Sequence, residues 1–214
     1  AALSTHVYDH HISAERKCGD LEYCFFDMKR SGCGIIWDIF INKPRHLFAN
    51  AVEAGDIWKQ KTVPNCDEIL IVLGMNKKTI DNWTAFHKRL DTNLDSLIRE
   101  GAAYVAYKQT VIRMLQGRNV HKLTIAGITM PAVNSPVFRS EVGNALVVGI
   151  GPCSAVWSHN GKFLAFSLRS EDKGPDVSKI AEKFGGGGHP KAAGSQTLPD
   201  IKTLLWQDFV IHHK

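Results

Sequence analysis

A chain of 214 residues that is 44% hydrophobic and 22% charged has the composition of folded globular material, which excludes a disordered or fibrous protein and leaves room for one large domain or two small ones. Its apolar runs, such as Ala145 to Gly151 and Ile69 to Gly74, fall far short of the roughly 20 residues that span a bilayer, and no charged-then-apolar leader opens it, so a cytoplasmic protein without a membrane partner is expected. The net charge of +5 gathers late: residues 1–117 carry 15 Lys/Arg against 14 Asp/Glu, and residues 118–214 carry 11 against 7, which favours an anionic ligand there without deciding the matter.

The chain starts at Ala1 without Met, and residues 1–9 read as a strand that ends in ionisable groups at Asp9-His10-His11. A strand needs neighbours, so an opening this abrupt leads to the expectation that earlier strands are missing. A polar loop is expected next, then a short strand over Glu22 to Asp27. Ser31-Gly32-Cys33-Gly34 opens a helix through Ile35, Ile36, Trp37, Ile39 and Phe40, broken by Pro44. A second helix is predicted from about Arg45 to Ala54 with Gly55 as its C-terminal cap, which holds Asp56 at a helix end. Further helices are predicted over Asp67 to Leu73, Ile80 to Leu90 and Leu94 to Leu115, the last reading as a connector.

After Gly117 the texture changes. His121 to Ala126 and Ile128 to Val133 read as a hairpin around Gly127, Phe138 to Val148 as a helix, and Ser154 to Ser158 with Lys162 to Arg169 as a second hairpin turned at His159-Asn160-Gly161. A helix over Val177 to Phe184, a four-glycine loop, a strand near Ser195 to Leu198 and a final helix complete the chain. The expected divisions are 1–92, 93–117 and 118–214. Five cysteines, never spaced CxxC, suggest reduced structural thiols rather than a disulfide framework or a zinc site.

Three places could carry chemistry. Asp9-His10-His11 lies at the C-terminal end of a strand, where ligands collect in open α/β sheets, and a carboxylate beside an imidazole fixes its tautomer. In a chain with ten histidines the tripeptide alone is a weak signal; His212-His213 is an example, read as solvent-exposed or tag-like. Gly185-Gly186-Gly187-Gly188-His189 offers unhindered backbone N–H groups, between a helix end and an expected helix start, that can nest an anion. Arg169, at the end of a strand, can grip a phosphodiester with its planar fork.

Taken together, Val7-Tyr8-Asp9-His10-His11, Cys24 through Gly32 (CFFDMKRSG), Gly55-Asp56-Ile57-Trp58, Ser167-Leu168-Arg169-Ser170 and Phe184 through Gly194 (FGGGGHPKAAG) resemble the DHH phosphoesterase superfamily with its DHH-associated C-terminal domain. The resemblance implies an α/β fold: an incomplete Rossmann-like parallel-sheet domain joined by a long helix to a smaller mixed α/β domain. It implies two divalent ions, usually Mn²⁺ with Mg²⁺ as the alternative. In this sequence His10 and Asp56 would be metal ligands, His11 a phosphate contact, and Asp9 would orient the site. Gly186, Gly187, Gly188 and His189 would cradle a phosphate and Arg169 would anchor it.

The reaction implied is in-line displacement at a phosphate ester. The partners implied are a short single-stranded oligonucleotide or a small nucleotide; a homodimer and a complementing N-terminal segment are also open. The chain departs from the family in one respect. The family's first two acidic motifs precede the DHH, and residues 1–8 supply neither, so two ions about 4 Å apart lack most of their carboxylates. Two readings remain: a phosphoesterase present here as an N-terminally shortened chain, inactive alone, or a non-catalytic member that binds RNA or nucleotide as a scaffold.

Overall fold

The computed structural model describes residues 4–41, 43–118, 120–197 and 209–212. The chain divides into two compact units, residues 1–108 and 109–214. In the first, β1 (Val7–Asp9) pairs in parallel with β2 (Cys24–Phe26), Asp9 lying opposite Phe26. The segment between them is α1 (Ile12–Cys18), where the sequence predicts a loop. None of its residues is buried and no side chain caps it, so it shows neither the apolar periodicity nor the cap by which a helix is read.

Ser31 caps α2 (Gly32–Ile36) by accepting from the Gly34 N–H, and the helix widens into a π turn over Trp37–Ile41. Parallel sheets are ordinarily covered on both faces, yet Phe25, Ile39 and Phe40 are exposed around this pair. Below it, α3 (Leu47–Asp56), α4 (Cys66–Met75), α5 (Ile80–Thr92) and the start of α6 (Leu94–Arg118) enclose Ala51, Ala54, Ile69, Val72, Phe86, Leu90 and Leu97. Full burial of a side chain such as Ile69 or Leu97 contributes about 2 kcal/mol.

Gly55 is not a cap. It lies inside α3, which ends at Asp56 with Ile57 as C-cap, and a Cβ there would stand 2.5 Å from Leu70 Cδ1 of α4. The glycine serves a close helix approach that no local signal announces.

The second unit is a seven-stranded sheet in the order β7-β8-β6-β5-β4-β3-β9: β3 (His121–Ile125), β4 (Ile128–Asn134), β5 (Cys153–His159), β6 (Leu164–Ser170), β7 (Gly187–His189), β8 (Ala192–Thr197) and β9 (Phe209–His212). Only β4 and β5 run parallel; the other pairs described are antiparallel. His212, read from the sequence as solvent-exposed or tag-like, lies in β9 in register with Lys122. The expected final helix falls largely on residues outside those described.

Strand alternation sorts the side chains onto two faces. Cys153, Ala155, Phe166 and Leu168 join Val177 and Ile180 of α8 (Val177–Glu182) in one core; Val133 and Val156 meet Val142 and Leu146 of α7 (Arg139–Gly149) and Ile112 and Leu115 of α6 in another. Both hairpins turn where the sequence predicts, at Ala126-Gly127, both left-handed, and at Asn160-Gly161, where Asn160 Oδ1 accepts from the Lys162 and Phe163 N–H groups. No helix among the described residues is long and apolar enough to cross a membrane.

Candidate functional site

β1 ends at Asp9, and its carboxylate organises the two histidines that come next. Asp9 Oδ1 accepts the His10 N–H at 2.7 Å, the His11 N–H at 3.3 Å and the His11 ring at Nδ1 at 2.7 Å. Burial would raise the Asp9 carboxyl, but these hydrogen bonds outweigh it and hold the group below its ordinary value. Asp9 thus orients the His11 ring, and the His10 and His11 rings meet edge to face at 4.4 Å between centroids.

His10 is only 6% exposed, and its Nε2 stands 3.3 Å from Asp56 Oδ2. Asp56 is the last residue of α3, and its carboxylate is about half exposed, at 49%. Four residues singled out in the sequence, Asp9, His10, His11 and Asp56, are thus brought together. His10 and Asp56 supply one imidazole nitrogen and one carboxylate, donor types that a divalent cation takes, and the ligand atoms of Asp9, His10 and His11 lie within 4.8 Å of one another. Among the described residues this group holds too few carboxylates for two ions about 4 Å apart.

A neighbouring network has no counterpart in the sequence reading. Glu53, one turn before Asp56 on α3, accepts from Arg45 Nη1 (2.7 Å), Arg30 Nε (3.2 Å), Ser31 Oγ (3.2 Å) and the Ser31 N–H (3.4 Å). Both arginines also hold Asp38. Burial pushes the Glu53 carboxyl up, but Arg45 and Arg30 prevail and it lies below its usual value; their hydrogen bonds depress Asp38 further. Gly34 makes room, since a Cβ there would fall 1.4 Å from Glu53 Oε2. The network fastens the loop after β2 onto α3. Arg30 and Ser31 lie in the quoted motif, but their partner is 22 or 23 residues away, beyond any spacing signal.

The remaining predicted residues lie in the second unit. Arg169 Nη1 donates to the Leu168 carbonyl and Nη2 to Ser140 Oγ on α7, and the residue is 8% exposed. Burial lowers its pKa from the ordinary arginine value. Gly187, Gly188 and His189 form the edge strand β7, where the sequence predicts a loop leading to a helix. Cβ atoms at Gly186 and Gly188 would lie 2.1 Å from the Gly194 carbonyl and 2.5 Å from the Ala192 carbonyl. Gly188 also has φ +142°. These two glycines therefore let β7 approach β8 closely, a requirement separate from any ligand. Arg169 and His189 each pair with Ala192 from opposite sides, so the three share one face of the sheet.

Comparison with known proteins bears on this second unit first. Residues 150–205 match the DHHA1 domain family. The chain is similar to the uncharacterized protein R106 of Acanthamoeba polyphaga mimivirus, at 30% identity over 198 residues, covering 88% of this chain and 46% of that protein. The chain thus spans about half the length of that relative. Among solved structures it is similar to a pGpG-specific phosphodiesterase from Vibrio cholerae, at 13% identity and a TM-score of 0.49, covering 94% of this chain and 76% of that one. It is also similar to an exopolyphosphatase-related protein from Bacteroides fragilis, at 13% identity and a TM-score of 0.42, covering 86% and 56%. The DHHA1 match spans Arg169, the glycine strand and His189, so residues 150–205 carry a DHHA1 domain, and the Asp9-His10-His11 tripeptide ends β1 in the other unit.

Proposed function

We propose that this chain carries the cation-binding and phosphate-binding residues of a metal-dependent phosphoesterase acting on short oligonucleotides or small nucleotides, with Mn²⁺ the preferred ion and Mg²⁺ the alternative. The observation that carries the reading is the buried His10 imidazole facing Asp56 across 3.3 Å at the end of β1. A surface histidine would not need such placement, and a buried one gains a partner by it.

When bound, a divalent cation supplies Lewis-acid stabilisation of the charge that develops on the phosphoryl oxygens. His10 Nε2 and Asp56 would hold it. Asp9 stays ionised and takes the His11 Nδ1 hydrogen, which fixes the ring and leaves Nε2 for a phosphate oxygen, as donor once it carries the second proton. In the second unit, Arg169 and His189 would contact an anionic group, Arg169 by exchanging its Ser140 bond for a phosphate oxygen.

The donor set also sets the expected rate. One imidazole and one carboxylate are too few for two ions, so these 214 residues alone are expected to bind Mn²⁺ and nucleotide but to turn over a labelled RNA dinucleotide no faster than background. Mn²⁺ titration followed by electron paramagnetic resonance, with the dinucleotide assay in parallel, tests this. Mn²⁺ binding weakened by about tenfold or more in both His10→Ala and Asp56→Asn supports the site. Binding unchanged in both overturns it, and hydrolysis lost in His10→Ala would show that the site works without further carboxylates.

A further inference from the structure

A second group of ligand-type side chains lies at the other end of α3. Asp56 ends that helix and His46 precedes it, so ten residues, about 15 Å of helix, separate His46 from the group around His10. His46 Nε2 stands 2.7 Å from Asp91 Oδ1, and His87 Nδ1 stands 3.7 Å from Asp91 Oδ2. His87 and Asp91 are four residues apart on α5 and share a face. The two imidazoles stack with centroids 3.8 Å apart. Their ligand atoms and that of Asp91 all lie within 4.8 Å of one another, and the side chains of His87 and Asp91 are 43% and 54% exposed.

We propose that His46, His87 and Asp91 form a second cation site, specific for a borderline transition metal of the Zn²⁺ class. Two imidazole nitrogens and one carboxylate oxygen are the donors such ions take, whereas Mg²⁺ and Mn²⁺ favour oxygen-rich sites. A purely structural tie between the start of α3 and the end of α5 is complete with the His46–Asp91 bond alone. His87 at 3.7 Å is too far to add a hydrogen bond to it, but it stands where a third donor to one ion belongs.

The other nitrogen of His46 is engaged. Nδ1 accepts the Phe48 N–H at 3.1 Å and caps α3, so the ring proton sits on Nε2, shared with Asp91. Coordination through Nε2 sends that proton to Nδ1, where it opposes the Phe48 N–H and ends the cap. Cation and cap compete, and a variant that removes the ligand while keeping the cap separates the two roles: His46→Asn, since asparagine is a favoured N-cap.

The test is Zn²⁺ titration against a chromophoric chelator on the full chain carrying His10→Ala, which removes the first site's imidazole, so the outcome does not depend on the phosphoesterase reading. His87→Ala, Asp91→Asn and His46→Asn are then added singly. One saturable equivalent of Zn²⁺ in the parent, weakened about tenfold or more in at least two of the three variants, is the expected result. No saturable binding by the parent, or losses below tenfold in two or more variants, overturns the proposal.

Discussion

The two units, each with a buried apolar core, position their candidate site residues by different means. Residues 1–108 place the candidate site beside strands of three residues and fasten the loop after β2 with two arginines and two carboxylates. Residues 109–214 place Arg169 and the glycine strand on a seven-stranded sheet with an apolar core on each face. The first arrangement depends on charge state and the second on packing volume. A site on short elements is thus positioned by its polar neighbours, whereas a site on a wide sheet is positioned by register.

The largest effect that would sharpen this contrast is in the second unit. Leu168 is 1% exposed in the core beneath Arg169, and Leu168→Ala is expected to cost about 3 kcal/mol. Hydrogen exchange should show the loss at amides of 109–214 and leave those of 1–108 unchanged; equal loss in both would break the contrast. Next, Glu53→Gln keeps the shape but removes the charge from Arg30, Arg45 and Ser31. It is expected to cost about 2 kcal/mol, confined to the first unit. Urea unfolding followed at Trp37, whose indole N–H donates to the Lys43 carbonyl beside this network, reads that loss.

The smallest effect is that of acid. The Glu53 and Asp9 carboxyls are held below their ordinary values. Their contribution is therefore complete above the unfolded carboxyl range, about pH 4, and is lost as pH falls through their lowered folded values. Asp176, which caps α8, has the same sign in the second unit. With Asp9, Glu53 and Asp38 all lowered in the first unit, exchange in residues 1–108 should respond to acid more strongly than in 109–214. The reverse order would mean that ionic contacts do not set the first unit's stability.

How much is legible in the sequence divides along the same line. The Asn160-Gly161 turn and the long helix from Leu94 are readable because a turn signal and an apolar period are local. Asp9, His10, His11 and Asp56 are found by resemblance, and the fold brings them together. Which imidazole Asp9 holds is not legible, because His10 and His11 follow it in turn and the ring contact to His11 is made only in the fold. α1 escapes notice because it buries nothing, and Gly55 is misread because its reason, Leu70, belongs to another helix. The Glu53 network joins charges scattered over 24 positions, whose pattern gives no periodic signal.

Gly34 and Glu53 have a consequence for descent and for design. The carboxylate of Glu53 occupies the space that a Cβ at position 34 would need, so a larger residue at 34 must displace that carboxylate from its arginines. A relative with any larger residue at 34 should carry a short one at 53 and should have given up the arginine pair that Glu53 serves. Neither change alone is a neutral step. A designer who enlarges residue 34 should therefore shorten residue 53 in the same variant.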